Sequence, residues 1–172
     1  MKKYELTSET KGERGVTLHR IRALVDIERY GVKAGDLGGW IESEANLDHK
    51  SEAWVSGEAR VFGDAWVFGD ARVFGKAQVS GEALVSGEAW VSKTDHVLTV
   101  SPIGSRDDAT TFFRTKFLTG FAISVCCGCF YGTVDEFRGK VKATHGDSKH
   151  GKAYQLAADL AETQIELDEE GL

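Results

Sequence analysis

From Ser51 to Ser92 the apolar positions return every six residues. Alanine occupies 53, 59, 65, 71, 77, 83 and 89, and valine 55, 61, 67, 73, 79, 85 and 91, without a slip. An alanine and a valine two positions apart point the same way along an extended chain, and no stripe of period 3.6 can be drawn through them, so the segment is predicted to be strand and not helix. Glycines at 57, 63, 69, 75, 81 and 87 fall between the apolar pairs and supply the turns. A short fixed period marks stacked repeats, each able to bury its apolar side only against its neighbours.

The flanks follow other patterns. Tyr4 and Leu6 alternate with polar residues, a Gly/Glu/Lys-rich turn follows over Ser8–Gly15, and Val16–Leu24 is a second extended run; together they predict a β-hairpin covering the open end of the stack. Val32–Ile41 leads into the repeats, with glycines for tight bends and Leu37, Trp40 and Ile41 for the first layer, and Ala45 and Leu47 already carry the small-x-aliphatic pair. Beyond the repeats, His96–Ile103 reads as a strand, Gly104–Asp108 as a turn, Thr110–Thr115 as the returning strand and Phe121–Val125 as a third strand. Thr133-Val-Asp-Glu136 is a capping box that opens a helix ending at His145-Gly146, with Val134, Phe137 and Val141 on one side. Asp147 or Ser148 caps a last helix running to about Thr163, with Tyr154, Ala157, Leu160 and Ala161 facing inward. These elements predict a short antiparallel sheet covered by two helices.

The step from Val55 to Ala59, and from Val61 to Ala65, places a small residue four positions after an aliphatic one. In this the chain resembles the hexapeptide-repeat family. The resemblance implies a left-handed parallel β-helix of triangular section, three hexads to a turn and about three coils here. The expected fold is therefore mainly β: an N-terminal β-hairpin cap over residues 1–36, the coil over 37–92 and a small C-terminal α+β domain over 93–172. That last region, through HVLTVSPIGSR, CGCFYGTVDEF and THGDSKHGKAY, is also similar to a C-terminal domain of bacteriophage and prophage proteins, often attached to such a coil and without an assigned activity. It implies an accessory phage protein made in an infected bacterial cell.

With three hexads to a turn, residues eighteen apart stack. Trp54, Arg72 and Trp90 then form one outward column, Trp66 lies with Leu84 and Arg60 with Gln78, while Phe62, Phe68 and Phe74 point outward near the corners. Each aromatic alone reads as a shield for strand backbone. Collected on one rod, Trp54, Trp66, Phe68, Arg72, Phe74 and Trp90 predict an interface, for a homo-oligomer or a host protein. Stacked acidic residues, such as Glu52, Asp70 and Glu88, read as solvated charge, with a cation site and imitation of a phosphate ladder as the alternatives.

Composition narrows the classes of function. The 172 residues carry 21 Lys and Arg against 27 Asp and Glu, a formal net charge of −6, which argues against a general binder of nucleic-acid backbone. No apolar run approaches the ~20 residues that span a bilayer, and the N-terminus lacks an apolar signal core, so no membrane partner and a cytoplasmic location are expected. Three cysteines crowded at 126, 127 and 129 argue against a secreted disulfide framework.

Little in the chain suggests bond-making chemistry. Hexapeptide acyltransferases generally place a histidine on or beside the coil; Ser51–Ser92 contains none and only His49 borders it, so acyltransfer is the minority reading. Cys127, Cys129, His145 and His150 are soft enough ligands for zinc, but their spacing is not a standard knuckle and small buried cysteines are the simpler reading. A Cys-His nucleophile pair lacks a third orienting residue. No cofactor is expected. The Gly104-Ser105-Arg106 turn is the favoured site: backbone N–H groups, a hydroxyl and a guanidinium together suit a phosphate or carboxylate, with Thr110, Thr111 and His96 contributing from neighbouring strands. The alternative is an ordinary hairpin turn with Arg106 paired to Asp107 or Asp108. The expected function is non-enzymatic: binding that inhibits or sequesters a host protein or a small phosphorylated, nucleotide-type ligand, with a structural oligomer second.

Overall fold

The computed structural model describes residues 1–168. Strands β1 (Tyr4–Glu13) and β2 (Val16–Ala23) form an antiparallel hairpin, and β2 pairs antiparallel with β3 (Leu37–Ile41). Each hexad then contributes a two-residue strand: β4 (Trp54–Val55), β5 (Arg60–Val61), β6 (Trp66–Val67), β7 (Arg72–Val73), β8 (Gln78–Val79), β9 (Leu84–Val85) and β10 (Trp90–Val91). These pair parallel with the hexad eighteen residues on: Trp54 faces Arg72, Arg72 faces Trp90, Arg60 faces Gln78 and Trp66 faces Leu84. The seven alanines and seven valines are all buried in one core, as the alternation requires. Glycine is needed between them for two reasons. At Gly69 φ is +66°, and a Cβ there would stand 2.9 Å from the Gly87 nitrogen of the next layer.

The expectation of a single left-handed parallel β-helix under a separate cap is corrected by the sheet topology. The repeats are divided among three small sheets: a mixed five-stranded sheet in the order β1-β2-β3-β5-β8, a parallel three-stranded sheet β10-β7-β4 and a two-stranded sheet β6-β9. The hairpin is not a lid laid over a finished rod. It is the antiparallel half of the first sheet, because β3 takes β2 on one edge and β5 on the other. The hexad period specifies which residues stack, but the allotment of two-residue strands to sheets depends on backbone pairing that side-chain periodicity does not encode.

The C-terminal region is a separate antiparallel sheet, β11 (Val97–Ile103), β12 (Asp108–Phe117), β13 (Gly120–Cys127) and β14 (Phe130–Thr133), paired in that order. Strand β14 lies where no element is predicted, and it is held by its antiparallel pairing with β13. Helix α1 (Val134–His145) starts at the capping box: Thr133 Oγ1 accepts from the Glu136 N–H at 3.2 Å, and the Glu136 carboxylate accepts from the Thr133 N–H at 2.8 Å. Ser148 caps α2 (Lys149–Gln164) by accepting from the Gly151 N–H. Phe137, Val141, Tyr154, Ala157, Ala158 and Ala161 pack on Phe112, Ile123 and Val125. Leu160 is not among them; it is 50% exposed, because the inward arc of α2 is centred on its alanines.

Strand β12 joins this sheet to the repeats. Thr111 Oγ1 accepts from the Leu84 N–H at 3.0 Å, the Lys116 N–H donates to the Glu88 carbonyl at 3.1 Å, and buried Arg114 donates to the Trp90 carbonyl at 3.1 Å. The last layer of repeats therefore has its backbone groups met by the C-terminal sheet.

Candidate ligand cleft

A cleft of about 270 Å³ opens on the outer end of the C-terminal sheet. Two hairpin turns, after β11 and after β13, bring Ser105, Arg106, Cys127 and Cys129 to its rim, and α1 and α2 supply the opposite wall through Phe137, Lys140, Thr144, His145 and Tyr154. Aromatic rings line that wall in sequence. Phe130 and Phe137 lie 5.7 Å apart, Phe137 and Tyr154 are perpendicular at 5.6 Å, and His145 tilts against Tyr154 at 5.6 Å.

Gly104 serves this site in a way its sequence context does not reveal. It is buried with φ +79°, and a Cβ there would coincide with the Tyr154 hydroxyl, so the glycine seats the phenol and does not present its own backbone to solvent. Burial, Cys127 and Asp108 push the Tyr154 pKa up to about 12, so the phenol keeps its proton across the neutral range; Arg106 pulls the other way.

Ser105 and Arg106 are exposed at the rim. Among the described residues Arg106 forms no ion pair, with Asp107, Asp108 or any other carboxylate, and neither does Lys140 across the cleft. Two cations and two hydroxyls, Ser105 and Thr144, thus edge an aromatic wall, with Asp108 the one carboxylate on the lining among the described residues.

The other residues expected here are elsewhere. Thr110 is buried behind the cleft, its Oγ1 3.0 Å from the Cys127 sulfur. Thr111 points to the opposite face of β12, as period-two alternation requires, and bonds to the repeats. His96 is buried beneath the last repeat, where its Nδ1 accepts from the Ser92 N–H at 3.3 Å. Neither Thr111 nor His96 belongs to the site. Lys140, Thr144 and the aromatic wall were missed; the signal was the spacing of 137, 140, 141 and 144 along one face of α1.

Cys127, Cys129 and His145 share the lining, whereas His150 lies outside it, its ring 6.2 Å from that of His145. Among the described residues no three His, Cys, Asp or Glu side chains converge as a metal site. The thiols are unpaired, and burial raises the pKa of Cys126.

The predicted aromatic interface is reduced. Trp54, expected outward, is 1% exposed, and Phe62 is buried with Leu18 and Trp40. Arg72, Phe74 and Trp90 keep their register but are half-buried, and Tyr30 lies across the Arg72 guanidinium at 5.4 Å. Phe74 meets Trp90 edge-on at 5.2 Å, and burial lowers the Arg72 pKa. Trp66 remains 41% exposed and stacks on Phe68 at 4.1 Å. The acidic columns are partly neutralised: Arg29 reaches both Asp70 and Glu88, and Glu58 accepts from Lys11 and Arg20.

No helix among the described residues is long and apolar enough to cross a membrane. A scan against models of protein families and a search of curated proteins found no match to the chain.

Proposed function

We propose that the protein is a binding protein that holds a small phosphorylated ligand in the C-terminal cleft without making or breaking its bonds. The observation that carries this reading is the pair of cations, Arg106 and Lys140, that have no carboxylate partner among the described residues and stand at the edge of the Phe130–Phe137–Tyr154 wall. Arg106 offers a planar fork that matches phosphate oxygens two at a time, Lys140 a second charge, and the Ser105 and Thr144 hydroxyls neutral donors. The rings offer an apolar wall to a base or other planar group. In the phage setting that the resemblance implies, holding such a ligand would act by sequestering it from the host cell. Titration with inorganic phosphate and with adenosine monophosphate, followed by amide NMR, tests this: shifts should concentrate at 105–108, 127–130 and 140–145, and be larger for the nucleotide.

A second reading, docking of a host protein, is favoured by exposed Trp66, which stacks on half-buried Phe68.

A further inference from the structure

Strands β13 and β14 join through a two-residue turn, Gly128-Cys129, with Cys127 paired to Phe130 across it. The three cysteines divide by alternation. Cys126 points into the core shared with the repeats, whereas Cys127 and Cys129 both line the cleft, the first half-buried and the second exposed. Thr110 Oγ1 donates to the Cys127 sulfur at 3.0 Å and fixes its place. Gly128 between them has φ +57°, and nothing stands within 4 Å of where its Cβ would be, so the turn has room to tighten. Two Cα steps of about 3.8 Å, bent through such a turn, set the cysteines' Cα atoms roughly 5–6 Å apart, inside the range that a disulfide bridges.

The charge beside these thiols is mostly positive. Arg106 and Lys140 share their cleft, against Asp108 as the one carboxylate on the lining among the described residues. Asp107 follows Arg106 in the turn but is not on the lining, and the Glu136 carboxylate, one helical turn before Lys140, is taken up by the Thr133 N–H at the start of α1. An anionic group arriving from solvent therefore meets two cations next to two thiols.

We propose that Cys129 and Cys127 form a dithiol site for small disulfides that carry carboxylates, with Arg106 and Lys140 drawing the reagent in. Exposed Cys129 gives its proton to solvent, and its thiolate attacks one sulfur of the incoming disulfide. That S–S bond breaks, a mixed disulfide forms on Cys129, and the first small thiolate leaves and takes up a proton. Cys127 then deprotonates and attacks the Cys129 sulfur, which forms the Cys127–Cys129 bond and releases the second small thiol. The protein dithiol is oxidised by two electrons and the reagent is reduced to two thiols. The site shares its cations with the phosphate reading, so either ligand excludes the other, but the exchange itself does not require nucleotide binding.

The test mixes the reduced full chain, freed of reductant, with glutathione disulfide, which is anionic, or cystamine, which is cationic, and follows intact mass and peptide maps. Each rate is divided by that of the same reagent with a free small thiol. On this scale glutathione disulfide should react faster by about tenfold or more, and raised salt or Arg106→Ala/Lys140→Ala, which changes exposed residues only, should remove the preference. The wild type should end with Cys127 joined to Cys129, and Cys127→Ser, checked for folding by its melting temperature, should stop at the mixed disulfide on Cys129. Adenosine monophosphate should slow the exchange; an anion preference that it leaves untouched would count against the phosphate reading alone. Equal normalised rates, a preference kept in the double variant, or a wild-type map without the Cys127–Cys129 bond overturns the proposal.

Discussion

Tyr4 stands across Trp54, ring centroids 6.4 Å apart and planes at 70°, and the tyrosine hydroxyl donates to the Leu47 carbonyl at 2.8 Å. The first strand of the chain thereby closes the first layer of repeats over a tryptophan that the repeat pattern alone places outside. Trp54→Ala should cost about 3–5 kcal/mol, the range for emptying a core site of that size. Trp66→Ala, at the same position of its hexad but 41% exposed, should cost under ~1 kcal/mol. Urea denaturation of the two variants compares them; equal losses would mean that Trp54 is not held in the core.

The stacked valines make a second prediction. Val73 is fully buried between Val55 and Val91 in the central strand of its sheet. Val73→Asp places a carboxylate there without a partner and should cost about 4 kcal/mol or more, enough to unfold the middle layer. A circular-dichroism melt with the wild-type midpoint would contradict the stacking.

Lys3 links stability to pH. Its ammonium is buried and donates to the Ser51 and Ala53 carbonyls at 2.8 and 2.6 Å, and burial lowers its pKa from 10.5 to about 8, against the pull of Asp48 and Glu52. Below about pH 8 both folded and unfolded chains hold the proton and the folded chain bears the cost of the buried charge. Between about 8 and 10.5 the unfolded chain binds more protons, so stability from this group rises with pH. Tyr4, whose pKa burial raises, acts in the opposite sense above about pH 10, because the unfolded phenol ionises first. From pH 7 to 10 the wild type should therefore gain stability relative to Lys3→Met, measured as the difference in unfolding free energy. A difference that stays constant with pH would remove Lys3 from the account.

The repeats and both helices were legible in the sequence because periodicity and capping are local. Ala53 to Ala89 needed only the six-residue period, and α1 only Thr133 and Glu136. The burial of Trp54 and Phe62 was not legible, since it depends on Tyr4 and Leu18, far away in the chain, folding back over them. At the candidate site the Gly104–Arg106 turn could be read, but its role for Gly104 could not: the ring that requires the glycine arrives from α2, about fifty residues on. Thr110 and Thr111 are adjacent in sequence and opposite in space, and only the register of β12 decides which one stands behind the cleft.

The central claim, that the cleft holds a phosphorylated ligand, is met most directly by isothermal calorimetry of adenosine monophosphate against the wild type, Arg106→Ala and Arg106→Lys. Arg106 makes no ion pair among the described residues, so its removal should leave the melting temperature unchanged. Loss of one or two charged hydrogen bonds, roughly 1.5–3 kcal/mol each, predicts affinity lower by at least about tenfold in Arg106→Ala. Lysine should restore only part of it, because it keeps the charge and loses the fork. Heat of binding that is absent in the wild type, or unchanged in Arg106→Ala, would contradict the account.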